Sequence, residues 1–270
     1  MIDIGVNLTH ASFEPDLDQV LQDAFGAGLE AMILTGTDLD SSQASLALCQ
    51  QFAAEASHGA LYCTAGVHPH DADHWDAETA ETLRELLAHP LVVAVGETGL
   101  DFNRNFSSRE GQIEAFEHQL ELSAETGKPL FLHERDAWAE QSQILRRCLD
   151  DIGQAVVHCF TGDLQALEDY LDMGLYVGIT GWVCDERRGT GLAEIVSRIP
   201  LDRLLIETDA PFLLPRNIEP KPSTRRNEPA FLPWVVRKLA ECYQVSEFEI
   251  AARTRDNAKR LFALPVGSPG

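Results

Sequence analysis

Val92-Val93-Ala94-Val95-Gly96-Glu97 is a run of small and β-branched apolar residues that stops at a carboxylate. The same pattern recurs along the chain. Leu130-Phe131-Leu132 stops at His133, Ala155-Val156-Val157 at His158, and Leu204-Leu205-Ile206-Glu207-Thr208 at Asp209. Thr64-Ala65-Gly66-Val67 leads into His68-Pro69-His70. β-rich segments near 2–6, 31–36, 61–67, 91–96, 129–133, 155–159, 175–179 and 203–207 number eight, mostly 20–35 residues apart, the length of a strand plus its return helix. Helical spacing fills the gaps. Leu17, Val20, Leu21 and Ala24 form one apolar stripe; Phe116, Leu120 and Ser123-Ala124 form another, which Gly127-Lys128-Pro129 terminates. Eight strand–helix units predict an α/β fold, the (β/α)8 or TIM barrel, with a doubly wound open sheet as the alternative. In a parallel barrel every strand end in this series falls on one face, the C-terminal face where barrel active sites lie.

The 270 residues suit one barrel domain, expected over residues 1–264, with 265–270 a disordered tail. The net charge is −22, and residues 1–100 hold a single basic residue, Arg84, against sixteen acidic ones. Such a balance excludes nonspecific coating of duplex nucleic acid, which needs a basic footprint, but not a site whose field a metal ion inverts. The six cysteines form no Cys-x-x-Cys pair, and reduced thiols are expected, as in a cytoplasmic protein. The opening Met-Ile-Asp-Ile-Gly-Val has neither a basic segment nor a long apolar one, so no secretory signal is expected. No apolar run approaches the roughly 20 residues that span a bilayer, so no membrane association is expected.

Burying several ionisable groups on one rim is costly unless a cation or a substrate compensates. Glu97, His133, His158 and Asp209 are therefore the candidate metal ligands, and this donor set suits Mg2+, Mn2+ or Zn2+. Glu207 precedes Asp209 by two, so alternation sends both to the same side. Cys159 is expected to point away from His158 into packing. His68 fits a phosphate contact or a leaving-group donor, or a structural histidine beside Pro69. His70 and Arg135 are substrate-binding candidates, as are Asn7 and Arg226. Arginines at 104, 135, 225 and 226 follow strands in polar loops, where a guanidinium can fork onto phosphate oxygens or remain a solvated charge. Trp182 is read as packing, with base stacking as the alternative.

Gly96-Glu97-Thr98-Gly99-Leu100-Asp101 resembles the Gly-Glu-x-Gly-Leu-Asp motif of the TatD family of deoxyribonucleases. Gly66-Val67-His68-Pro69, His158-Cys159-Phe160-Thr161-Gly162, Glu207-Thr208-Asp209-Ala210-Pro211-Phe212-Leu213 and Arg226-Asn227-Glu228-Pro229 match further motifs of that family, in its order and over nearly the whole chain. Ile4-Gly5-Val6-Asn7 and the run from Thr180 to Arg188 resemble the branch that gives the family its name. The resemblance implies a barrel of the metallo-dependent hydrolase type. It gives Glu97 the place where related barrels carry a modified lysine between two metals, and gives His133 and His158 one ion. It assigns Asp209 to holding and deprotonating the attacking water, and with Glu97 and His68 this makes the expected catalytic set. Most members of the family start with a His-x-His pair on the first strand, whereas Gly5 and Asn7 stand at those positions here. One tightly held Mg2+ is therefore expected, with a second ion arriving largely with substrate phosphate.

The expected activity is a Mg2+-dependent nuclease acting on single-stranded DNA or RNA ends, with 3′ to 5′ polarity supplied by the resemblance alone. The expected state is a monomer whose partner is its nucleic acid substrate. Two alternatives remain: an amide or ester hydrolase of the same barrel superfamily, such as one acting on aminoacyl-tRNA, and a non-enzymatic binding protein on a decayed barrel.

Overall fold

Eight parallel strands, Ile2–Val6 (β1), Ala31–Leu34 (β2), Ala60–Ala65 (β3), Val92–Asp101 (β4), Leu130–Arg135 (β5), Ala155–Val157 (β6), Tyr176–Ile179 (β7) and Leu204–Ile206 (β8), pair in sequence order. The computed structural model describes residues 1–55 and 59–265; most of the expected tail, 266–270, lies outside the described residues. The ring closes where Val6 bridges Ala210, with the Asn7 N–H donating to the Ala210 carbonyl (2.8 Å) and the Asp209 N–H to that of Gly5 (2.9 Å). This closure selects the barrel over the open sheet.

Helices Leu17–Gly26 (α1), Leu39–Glu55 (α2), Ala77–Leu87 (α3), Arg109–Thr126 (α4), Trp138–Cys148 (α5), Leu164–Asp172 (α6) and Thr190–Ile195 (α7) return the chain after the first seven strands. Two more, Leu232–Tyr243 (α8) and Glu247–Leu261 (α9), follow β8. Their ends are written locally. Asp76, Ser108, Asp163 and Ser246 each accept a backbone N–H of the first turn, and Gly127 ends α4 in the left-handed region at φ 68°.

The core has two layers. Outward-facing strand residues such as Met32, Leu34, Val92 and Leu132 pack under the helices. Inward-facing Ile2, Ile4, Ile33, Phe131, Tyr176 and Leu205 fill the barrel, and α9 plugs its lower end with Ala258 and Leu261. The filled lower half confines the polar cluster to the opposite end, where a cleft of about 1190 Å³ opens. Among the described residues no helix is long and apolar enough to cross a membrane, and all six cysteines are free thiols.

One strand departs from expectation. β4 does not stop at Gly96 but runs to Asp101, pairing Thr98 with Leu132, Gly99 with His133 and Asp101 with Arg135. Gly96 and Gly99 make this possible. They adopt φ 136° and 141°, and a Cβ at either would strike a backbone carbonyl of β5, that of Phe131 or His133. Glu97 thus lies within β4, and Asp101 joins the site from the same strand.

Candidate active site

Three imidazoles converge on one oxygen of Glu97. Oε1 lies 2.8 Å from His133 Nδ1, 2.8 Å from His158 Nε2 and 3.4 Å from His68 Nε2. Each ring is held from behind. Asp101 Oδ2 lies 3.4 Å from the far nitrogen of His133, and Glu207 Oε2 lies 3.3 Å from the far nitrogen of His158. A carboxylate behind a ring takes its N–H and turns the opposite nitrogen's lone pair forward. With that tautomer, the lone pairs of His133 and His158 both face a carboxylate oxygen at 2.8 Å. Acceptors do not hold this spacing unless protons or a cation lie among them.

The titration shifts describe the same conflict without a cation. Burial opposes ionisation of Glu97, but the surrounding imidazoles of His158, His68 and His133 outweigh it and hold the carboxyl well below its ordinary range. Burial likewise opposes protonation of His133 and His158. Asp101 and Glu97 raise the first, and Glu97 and Glu207 raise the second well above its ordinary value. A divalent ion held here would take the place of those protons. Glu97 and His133 belong to a group, with His68, whose polar atoms lie within 4.8 Å of one another, and the imidazole and carboxylate of the first two fit a divalent metal.

His68 differs from the other two rings. Its Nδ1 accepts the N–H of His70 at 3.0 Å, so the hydrogen of the neutral ring sits on Nε2, directed at the Glu97 side. Burial lowers its pKa despite the Glu97 charge, which keeps the ring neutral and a donor. His70 meets Asp101 Oδ2 at 2.9 Å. Asp209 lines the cleft beside this cluster. Burial, with the charges of Glu97 and Glu207, pushes it up to about 7 against the pull of His158. Asn7 Nδ2 donates to Asp209 Oδ1 at 3.1 Å.

A model of the family described as TatD related DNase matches residues 2–263. The chain belongs to the TatD-related DNase family. It is 49% identical over 268 residues, 99% of this chain and all of the relative, to the "3'-5' ssDNA/RNA exonuclease TatD" of Citrobacter rodentium. Identity to the protein of the same name from Erwinia amylovora is 53% over 266 residues, 98% of this chain and all of that one. The crystal structure of a hydrolase TatD family protein from Entamoeba histolytica superposes with a TM-score of 0.89 over 97% of both chains at 26% identity.

For this member of the family the first-strand departure has a physical counterpart. Gly5 and Asn7 both face the site. A Cβ at Gly5 would collide with Glu207 Oε2, and one at Gly178 would lie 2.7 Å from Oε1. The two glycines make room for the buried Glu207 carboxylate that backs His158.

Of the sequence-stated candidates, Glu97, His133, His158, His68, His70, Asp209, Asn7 and Arg135 all line the one cleft. Arg226 is not among the cleft-lining residues. Its guanidinium is bound to both oxygens of Asp16 (2.8 and 2.7 Å), to Glu228 (2.9 Å) and to the Ser12 carbonyl (2.6 Å), so it ties the β8–α8 loop to the β1–α1 loop. Cys159 also differs from expectation. β6 ends at Val157, so strand alternation no longer governs the residue. At φ 46° it lines the cleft, its sulfur 3.8 Å from Thr180 Oγ1. Trp182 lines the cleft with the Arg188 guanidinium 4.5 Å from its ring centroid. Asp101 is a functional residue that the strand-end pattern does not single out. Residues 97, 99 and 101 alternate on one strand, and that period was its detectable signal.

Proposed function

We infer that the protein is a metal-dependent nuclease that shortens single-stranded DNA or RNA from the 3′ end. The observation that carries this reading is the meeting of His68, His133 and His158 on a single oxygen of Glu97, with Asp101 and Glu207 behind two of the rings. The polarity and substrate follow the names of relatives about half identical over their full length, 3'-5' ssDNA/RNA exonucleases. Glu97, His133, His158 and Asp209 would hold the metal. When bound, a divalent ion supplies positive charge to the phosphoryl oxygens and makes a coordinated water a stronger acid. Mg2+ is the ion this reading favours, because carboxylates contribute half of that ligand set.

The remaining steps belong to side chains. Asp209, lining the cleft beside Glu97 and the imidazoles, accepts the proton of the attacking water. The Asn7 amide fixes one oxygen of the cleft-lining Asp209. His68, neutral and carrying its hydrogen on Nε2, donates to a phosphoryl oxygen or to the departing alkoxide. His70, held on Asp101, lies beside it.

The test uses chelator-stripped protein on 5′-labelled single- and double-stranded oligonucleotides, with Mg2+, Mn2+ and Zn2+ restored separately. The expected product series shortens progressively from the 3′ end, faster for single strands and requiring metal. Phosphodiester bonds left intact by every metal, with Zn2+-dependent cleavage of an amide or ester instead, would overturn the reading.

A further inference from the structure

We propose that the β4–α4 loop is a built platform for the nucleic acid strand that trails out of the cleft. Phe106 stacks on a base next to the cleaved linkage, and Arg104, Arg109 and Arg135 hold the adjoining phosphates. The proposal rests on the nuclease reading and identifies which surface takes the polymer.

Phe106 is 66% exposed, an unusual position for an aromatic ring, and its ring centroid lies 4.7 Å from that of His70 in an edge-to-face contact. The exposure is imposed by the loop. On one side of Phe106, Asp101 Oδ1 accepts the N–H groups of Asn103 and Arg104, both at 2.9 Å, and Asn105 Nδ2 donates to the Phe102 carbonyl at 2.9 Å. On the other side the buried Ser107 hydroxyl donates to the His70 carbonyl at 2.7 Å, and Asp73 accepts both the N–H and the hydroxyl of Ser108. A ring held out by a loop fastened at both ends is preorganised for stacking, because little side-chain or loop freedom remains to be lost on binding.

The charges point the same way. Arg104, Arg109 and Arg135 line the cleft on the β4–β5 side. Among the described residues none of the three forms an ion pair. Arg109 lies over the Phe102 ring at 4.1 Å, which sets its guanidinium at the rim. Asp136, an acidic neighbour of Arg135, accepts a hydrogen bond from Asn103 Nδ2 at 2.6 Å and, among the described residues, pairs with none of these arginines. In a chain of net charge −22 a local group of free guanidiniums is where an anionic polymer finds purchase. The opposite flank is differently used. Arg188 and Arg216 are both bound to Asp185, and Arg188 covers Trp182. Stacking on Phe106 needs a base free of its neighbour, so the platform itself favours single strands over duplex.

The test is an anisotropy titration of the Mg2+-supplemented full-length protein with 5′-fluorescein decathymidylate whose 3′ linkages are phosphorothioates. A parallel assay follows shortening of the ordinary oligonucleotide. Phe106→Ala is expected to raise Kd about tenfold, as loss of one stacked base does, and Phe106→Trp to restore wild-type binding. The Arg104→Gln, Arg135→Gln pair is expected to lower the slope of log K against log salt by about 1.4, the value for two single-strand phosphates. An abasic substitution at one position should abolish the difference between wild type and Phe106→Ala. A Phe106→Ala Kd within twofold of wild type, or failure of Phe106→Trp to restore it, would overturn the platform while leaving 3′ shortening to stand. Phe106-dependent binding without shortening would overturn the nuclease reading and leave the platform. A wild type that does not bind the oligonucleotide overturns both.

Discussion

Glu207→Gln isolates what the carboxylate behind His158 contributes. The side chain is fully buried between Gly5 and Gly178, so glutamine fits its space. Oε1 accepts the Cys159 N–H, which fixes the amide oxygen of the variant at that position and turns its NH2 toward His158 Nδ1. Nδ1 must then accept, and the ring hydrogen moves to Nε2, the nitrogen that faces Glu97 at 2.8 Å. The nitrogen that should ligate carries a proton instead. Loss of such a backing partner typically weakens metal binding about 10- to 100-fold, equivalent to about 1.4–2.7 kcal/mol. Calorimetric titration of chelator-stripped protein with Mn2+ gives the affinity, and circular dichroism confirms that the variant is folded. A folded Glu207→Gln protein with wild-type Mn2+ affinity would refute the tautomer argument, and with it the assignment of His158 Nε2 as a ligand.

Glu97→Gln and Asp209→Asn are each expected to reduce turnover more than tenfold while remaining folded, a barrier change above ~1.4 kcal/mol; a variant keeping more of the wild-type rate removes that residue from the machinery. Gly5→His is expected to lower Tm by about 5 °C rather than add a ligand, because its Cβ meets Glu207 and Phe131; an unchanged Tm would contradict the placement of Glu207. Burial pushes the Asp3 carboxyl up to about 7 against hydrogen bonds from Thr208 and Gly5, so the folded state binds its proton more tightly than the unfolded one and stability from this group, full below about pH 4, falls as pH rises toward 7, by at most ~4 kcal/mol. Asp3→Asn keeps the N–H bonds from Gly5 and Thr208 on its oxygen, turns its NH2 to donate to the Thr208 hydroxyl as the protonated acid does, and removes that loss, so its urea midpoint should match wild type near pH 4 and exceed it at pH 8; equal midpoints at pH 8 would count against a buried, proton-binding Asp3.

The barrel was legible because its strands are apolar runs with abrupt polar ends, and Glu97, His133, His158 and Asp209 stood at those ends. The same rule misplaced the end of β4. The run was ended at the Glu97 carboxylate, yet the positive φ of Gly96 and Gly99 lets β4 continue against β5 and deliver Asp101 behind His133. Alternation failed for Cys159 because β6 is only three residues long and its pleat ends before the residue in question. Arg226 was read as a substrate contact since its partner Asp16 stands 210 positions earlier, a pairing that no local pattern encodes. The vacancy at Gly5 was visible, but not that Glu207, one residue past β8 on the neighbouring strand, fills the space.

The cation site proposed at Glu97, His133 and His158 can be observed crystallographically. An anomalous difference map from a crystal soaked in Mn2+, collected at the manganese edge, tests it most directly. A peak bounded by Glu97, His133 and His158, with Asp209 at its edge, is the expected result. No peak there, with both rings still within hydrogen-bond distance of a Glu97 oxygen, would contradict it.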